Sequence, residues 1–147
     1  MRVRMSGTAT VSANVRGGVC LATTGLVMHG RSSVVRNRGG GILAYDAADW
    51  RVGKRHRVAI KMSDAASVSR NSSARGAGIY LEWTGAGCAS CTDTPPRMVL
   101  QDRASVTKNT ARDTGGGIYV KGGRVVLRNH AAVVRNRPNN IVIRHKA

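Results

Sequence analysis

The chain has 147 residues, enough for one domain with a buried core, and no run of it approaches the ~20 apolar residues of a membrane-crossing helix. Lys and Arg number 24 against 7 Asp and Glu, a formal charge of +17 whose field attracts polyanions. Phenylalanine is absent while glycine occurs 18 times, so Val, Ile, Leu, Met and Ala must fill the interior, which favours narrow layers over one large globular core.

Residues 1–14 carry Arg2 and Arg4 but no apolar stretch of ~7–15 residues behind them, so no signal peptide is read there. The first unit runs over 2–22. Val3 and Met5 alternate with polar residues, Val11 and Asn14 follow as Val-x-x-Asn, and a turn leads to a second alternating pair, Val19 and Leu21. The second unit, 26–44, repeats this with Leu26 and Met28, Val34 and Asn37, then Ile42 and Ala44. The third, 58–82, has Ile60 and Met62, Val68 and Asn71, Ile79 and Leu81. The fourth, 97–120, has Met98 and Leu100, Val106 and Asn109, Ile118 and Val120. The fifth, 124–143, closes with Val125 and Leu127, Val133 and Asn136, Ile141 and Ile143. Residues 45–57 and 82–97 are long insertions between units.

Alternation with period two marks strands, and Gly, Asn, Asp and Ser at the segment ends mark turns. Strands this short bury no face alone, and the Asn-Gly pairs of tight hairpins are missing. Pairing like strands of successive units in parallel solves the problem. The expected fold is all-β: a right-handed single-stranded parallel β-helix of about five coils, three short strands per coil. Asn14, Asn37, Asn71, Asn109 and Asn136 then form a ladder of side-chain amides. Asparagine also tolerates the left-handed backbone of a sharp corner.

Three groups of residues are candidates for function. Arg36, Arg70, Lys108 and Arg135 each precede a ladder asparagine and would line one edge at the ~4.8 Å strand spacing. Neighbours would repel by about 1 kcal/mol at the dielectric of water, which favours a bound anion, although a solvated corner with splayed side chains explains them too. Tyr80 and Tyr119 fall on one outward column beside the insertions that hold Trp50 and Trp83. Such rings stack on sugars or bases, or lie buried beneath folded-back loops. Asp64 and Asp102 share a repeat position, and two carboxylates ~5 Å apart would suit a retaining glycosidase. Gly7, Gly30 and Asn129 complete that series, however, which is the composition of a turn whose Asp and Asn bond backbone.

Cys88 and Cys91 form a CxxC in the second insertion. No second CxxC or His-x-x-His accompanies it, so a local disulfide is expected there rather than a metal site, and no cofactor is expected.

The pairing of Val-x-x-Asn with Gly-Gly-Gly-Ile (Gly39–Ile42, Gly115–Ile118) resembles the repeats of chlamydial-type polymorphic outer membrane proteins. There Phe-x-x-Asn alternates with Gly-Gly-Ala-Ile, and the repeats build β-helical autotransporter passengers. The resemblance implies a cell-surface or secreted adhesin. Units begin at Val3 and end at Ile143 with nothing to cover either end, so a fragment of a longer solenoid or end-to-end self-association is expected. The sequence points to a non-enzymatic binder of anionic glycans or another surface through a basic face and the two long loops, with a carbohydrate-active enzyme fragment or a nonspecific polyanion or nucleic-acid binder as alternatives. No groove-reading helix or aromatic single-strand platform is evident for specific nucleic-acid recognition.

Overall fold

The computed structural model describes residues 2–22, 24–46, 58–83 and 96–145. These contain seventeen strands and no helix. The first unit holds β1 (Arg2–Met5), β2 (Thr10–Ser12) and β3 (Val19–Ala22), and the second β4 (Gly25–Met28), β5 (Ser33–Val35) and β6 (Ile42–Asp46). The third holds β7 (Ala59–Met62), β8 (Ser67–Ser69), β9 (Ser72–Arg75) and β10 (Ile79–Trp83). The fourth holds β11 (Arg97–Leu100), β12 (Ser105–Thr107), β13 (Thr110–Thr114) and β14 (Ile118–Lys121). The fifth holds β15 (Arg124–Leu127), β16 (Ala132–Val134) and β17 (Ile141–Arg144).

Each unit gives one strand to each of three five-stranded parallel sheets. The first sheet runs β1-β4-β7-β11-β15, the second β2-β5-β8-β12-β16 and the third β3-β6-β10-β14-β17. This all-β, all-parallel arrangement is compatible with a parallel β-helix or other solenoid. Register follows the repeat: Val3 pairs with Leu26, Leu26 with Ile60, Ile60 with Met98, and Met98 with Val125. A slip of one residue would turn every apolar side chain outward, so the buried face fixes the pairing. In the three middle units the inward residues, among them Met28, Met62, Leu100, Val34, Val68, Val106, Ile42, Ile79 and Ile118, are fully buried. Val3 and Leu127 are 37% and 43% exposed because their strands lie at the two edges of the first sheet.

Two features depart from the sequence reading. A fourth sheet, of the two strands β9 and β13, joins the third and fourth units. The run from ladder asparagine to the glycine before the third strand is short in two units (Asn14 to Gly18, Asn37 to Gly41) and longer in these two (Asn71 to Gly78, Asn109 to Gly117). Adjacent long runs find each other, and the extra residue of the fourth unit accounts for the register shift between Ala111 and Thr114. Second, the left-handed residue at the corner is the one before each asparagine. Ala13, Arg36, Arg70, Lys108 and Arg135 have φ of 59°, 57°, 55°, 56° and 58°. The asparagines instead turn inward, where their amides are used in full.

The ladder explains their burial. The Oδ1 of Asn71 accepts from the backbone N–H (2.9 Å) and the Nδ2 (3.0 Å) of Asn37, while its own Nδ2 donates to Val34 O (3.1 Å) and to Asn109 Oδ1 (3.0 Å). Asn109 and Asn136 repeat the pattern. At the fifth unit Asn140 of the same unit supplies the acceptor, taking the N–H of Asn136 at 3.1 Å and its Nδ2 at 3.2 Å.

The two sequence motifs are one packing unit. A Cβ built on Gly41 would lie 2.5 Å from Gly78 O, 2.8 Å from Asn71 Nδ2 and 2.9 Å from Val68 Cγ1. The Gly-Gly-Gly-Ile glycine is therefore kept small by the Val-x-x-Asn of the next unit.

Among the described residues two buried side-chain polar atoms have no partner, Arg97 Nε and Ser32 Oγ. Ser32 is fully buried and its hydroxyl has no partner, at a position that the other units fill with Ala9, Ala66, Ala104 and Ala131. Ser32→Ala is expected to raise stability by about 1 kcal/mol, the desolvation penalty of an unsatisfied hydroxyl. Chemical denaturation checks it; a loss of stability would mean that the hydroxyl is satisfied in solution.

Candidate functional site

The left-handed corner turns each preceding side chain outward. Arg36, Arg70, Lys108 and Arg135 are all exposed. Their backbones are held in line by bonds between units, from Arg36 N to Ser69 O and from Arg70 N to Thr107 O, both 3.2 Å. Among the described residues, the ion pairs are Arg75–Asp113, Arg112–Asp113 and Lys121–Glu82, none of which involves these four cations. The structure thus brings all four sequence candidates into one column.

The aromatic residues gather on the third sheet. Cys20, Leu43, Tyr80, Tyr119 and Val142 are in register across its five strands, which makes them one column. The rings of Tyr80 and Tyr119 stack with centroids 5.3 Å apart and planes 8° apart. Tyr45, in sequence the first residue of an insertion, instead extends β6 and sits 5.7 Å from Tyr80, tilted by 45°. Tyr119 is buried and Tyr80 half-buried. Trp83 ends β10 and packs over Gly122, whose added Cβ would lie 3.0 Å from Trp83 Cε3. Trp50, Cys88 and Cys91 lie outside the described residues, and Cys20 is an exposed free thiol.

A polar pair borders the tyrosines that the sequence did not single out. Glu82 accepts from Tyr80 Oη at 2.7 Å and from Lys121 Nζ at 2.8 Å. The lysine bond, and then the tyrosine hydroxyl, hold its carboxyl below the ordinary value. Burial, and then the bond to Glu82, push the Tyr80 phenol well above its ordinary value. The phenol is therefore a fixed neutral donor and not a base. Because the folded carboxyl is the stronger acid, its contribution is present above the unfolded glutamate value near 4.3 and is lost as pH falls through the folded one. Thermal melts from pH 6 down to pH 3 are expected to fall less steeply for Glu82→Gln than for the unaltered protein; parallel slopes would remove Glu82 from the acid transition.

The aspartate column is a turn. Asp64 and Asp102 have φ of 57° and 62°, in series with Gly7, Gly30 and Asn129 at 61°, 71° and 55°. Their carboxylates bond the neighbouring unit: Gly30 N donates to Asp64 Oδ2 at 2.8 Å, and Asn129 Nδ2 to Asp102 Oδ1 at 2.9 Å. Mutual repulsion would have raised a carboxyl pKa; that of Asp102 is instead lowered, by bonds from Gln101, Asn129 and the Asp64 backbone. A stabilised carboxylate is a poor general acid. Among the described residues no three His, Cys, Asp or Glu side chains group to hold a metal, and no helix is long and apolar enough to cross a membrane.

No family model, curated protein or solved structure matches this chain.

Proposed function

We propose that the chain is a right-handed parallel β-helix that acts without catalysis, as an adhesin-like protein of the cell surface or secreted space, binding anionic glycans or another anionic surface. Right-handedness follows the strong preference of parallel crossovers for that hand. The surface location rests on the resemblance to polymorphic outer membrane protein repeats.

The observation that carries the reading is the column Arg36, Arg70, Lys108, Arg135: exposed, in line and without ion pairs among the described residues. Holding four like charges at strand spacing costs free energy that an anionic chain laid along the column returns. Charge spread at random over a basic surface would not repeat at one corner of four consecutive units.

The test is binding to acidic and neutral polysaccharides and to DNA at low and high salt, for the unaltered protein and for a variant with all four residues changed to serine. The variant is expected to lose about tenfold or more in affinity for acidic glycans at low salt, with a shallower dependence on salt because fewer counterions are released. Equal affinities would remove the column from the binding face. Equal binding of every polyanion by the unaltered protein, abolished by salt, would reduce the function to net charge.

A further inference from the structure

The second sheet carries a surface that the cationic column only borders. Its central residues Val11, Val34, Val68, Val106 and Val133 point into the core, so the residues on either side point out. One outward column is Thr10, Ser33, Ser67, Ser105 and Ala132; the other is Ser12, Val35, Ser69, Thr107 and Val134. Seven of the ten outward positions bear a hydroxyl, all at least partly exposed. Only Thr10 and Ser33 bond each other, at 2.9 Å. The hydroxyls of Ser67, Ser69, Ser105 and Thr107 have no partner among the described residues. Strand spacing sets them ~4.8 Å apart across the sheet, and two residues of rise set them ~6.6 Å apart along each strand.

Cations bound this strip on both sides. Arg36, Arg70, Lys108 and Arg135 follow it at one corner; Arg31 and Arg103, also exposed, precede it at the other. Asp64 and Asp102 stand beside that second rim, and Asp102 is committed to Gln101 and Asn129, so the first rim carries the stronger field.

Building on the glycan reading above, we infer that this hydroxyl strip is the recognition surface, and that its ligand is a linear acidic polysaccharide lying across the strands. Sugar hydroxyls and ring oxygens bond the serine and threonine hydroxyls, and carboxylates reach the rims. Charge complementarity supplies the anion; the hydroxyl lattice supplies the preference for sugar. A nucleic-acid strand fits less well, because bases bind by stacking on aromatic rings and the outward positions of this sheet hold none.

The test removes hydroxyls and leaves charge untouched: Ser67→Ala, Ser69→Ala, Ser105→Ala and Thr107→Val together, titrated with polygalacturonate and with inorganic polyphosphate at low and high salt. The expected result is a loss of about tenfold or more for polygalacturonate, retained at high salt, with polyphosphate unchanged. A companion variant with Ser67→Thr and Ser105→Thr, which keeps the hydroxyls, is expected to bind as the unaltered protein does; loss there would assign the effect to packing and overturn the inference. Unchanged polygalacturonate binding by the hydroxyl-free variant would also overturn it, while leaving the basic face intact. Failure of the unaltered protein to prefer polygalacturonate over polyphosphate would overturn the glycan reading as a whole.

Discussion

Asn71→Ala is expected to destabilise the protein by about 4 kcal/mol, with a thermal midpoint lower by about 10 °C. The substitution removes four hydrogen bonds at a fully enclosed site and does more harm than their number implies. The N–H and one Nδ2 hydrogen of Asn37 lose their acceptor, and Val34 O and Asn109 Oδ1 lose a donor, at a site closed to bulk solvent. Each orphaned buried group costs about 1–3 kcal/mol. Asn14→Ala provides the comparison. The Asn14 side chain is exposed and makes one bond, from its Nδ2 to Asn37 Oδ1, so about 1 kcal/mol is expected. Circular dichroism melts of the two variants check the contrast. Equal losses would mean that the ladder bonds count for no more than surface ones and that the valine columns alone hold the units together.

Gly78→Ala is expected to cost at least about 3 kcal/mol, for a reason unrelated to backbone freedom. The added Cβ would overlap the carbonyl oxygen of Gly117 and approach Val106 Cγ1 to 2.8 Å and Asn109 Nδ2 to 2.9 Å. A backbone carbonyl cannot rotate away as a side chain can, so the third and fourth units must part along the line where the ladder runs. Gly7→Ala is the control of opposite kind. Its φ is +61°, but nothing lies within 4 Å of the added Cβ, so the change is limited to the left-handed penalty of about 1 kcal/mol. If the two variants melted alike, the tight glycine column would have room that its geometry denies.

The inward columns were legible because they combine two signals, period-two alternation and recurrence. Leu26, Ile60 and Met98 share no residue identity, yet they align by distance from Val-x-x-Asn, and they pair as that alignment predicts. Local geometry was less legible. Asparagine's tolerance of the left-handed region placed the corner one residue late, because the demand for a buried, four-bonded amide outweighs that tolerance and passes the strained backbone to an exposed Arg or Lys. Strands β9 and β13 were hidden because neither Ser72–Arg75 nor Thr110–Thr114 reads as a strand alone; each exists through the accident of a long neighbour. Of the site residues, the cationic column was visible as a repeat. A hydroxyl precedes four of the five valines, at Thr10, Ser33, Ser67 and Ser105, but Ser and Thr beside a valine are equally the residues of any solvated strand. Tyr45 and Glu82 were read as the first residues of insertions, a boundary that only pairing with the neighbouring strand moves.

Successive ladder asparagines are separated by 23, 34, 38 and 27 residues, yet they meet with the same bonds each time. Contacts between units depend on position within a unit and not on the length of chain between units. Doubling a connecting loop costs only about 0.6 kcal/mol of closure entropy. A lineage built this way can lengthen by duplicating whole units and can diversify by lengthening the links between them, without reopening the core. Deletions inside the Val-x-x-Asn segment have no such freedom. Changes of length in this molecule should therefore be punctuated, rare within the Val-x-x-Asn segments and permissive at the joins between units.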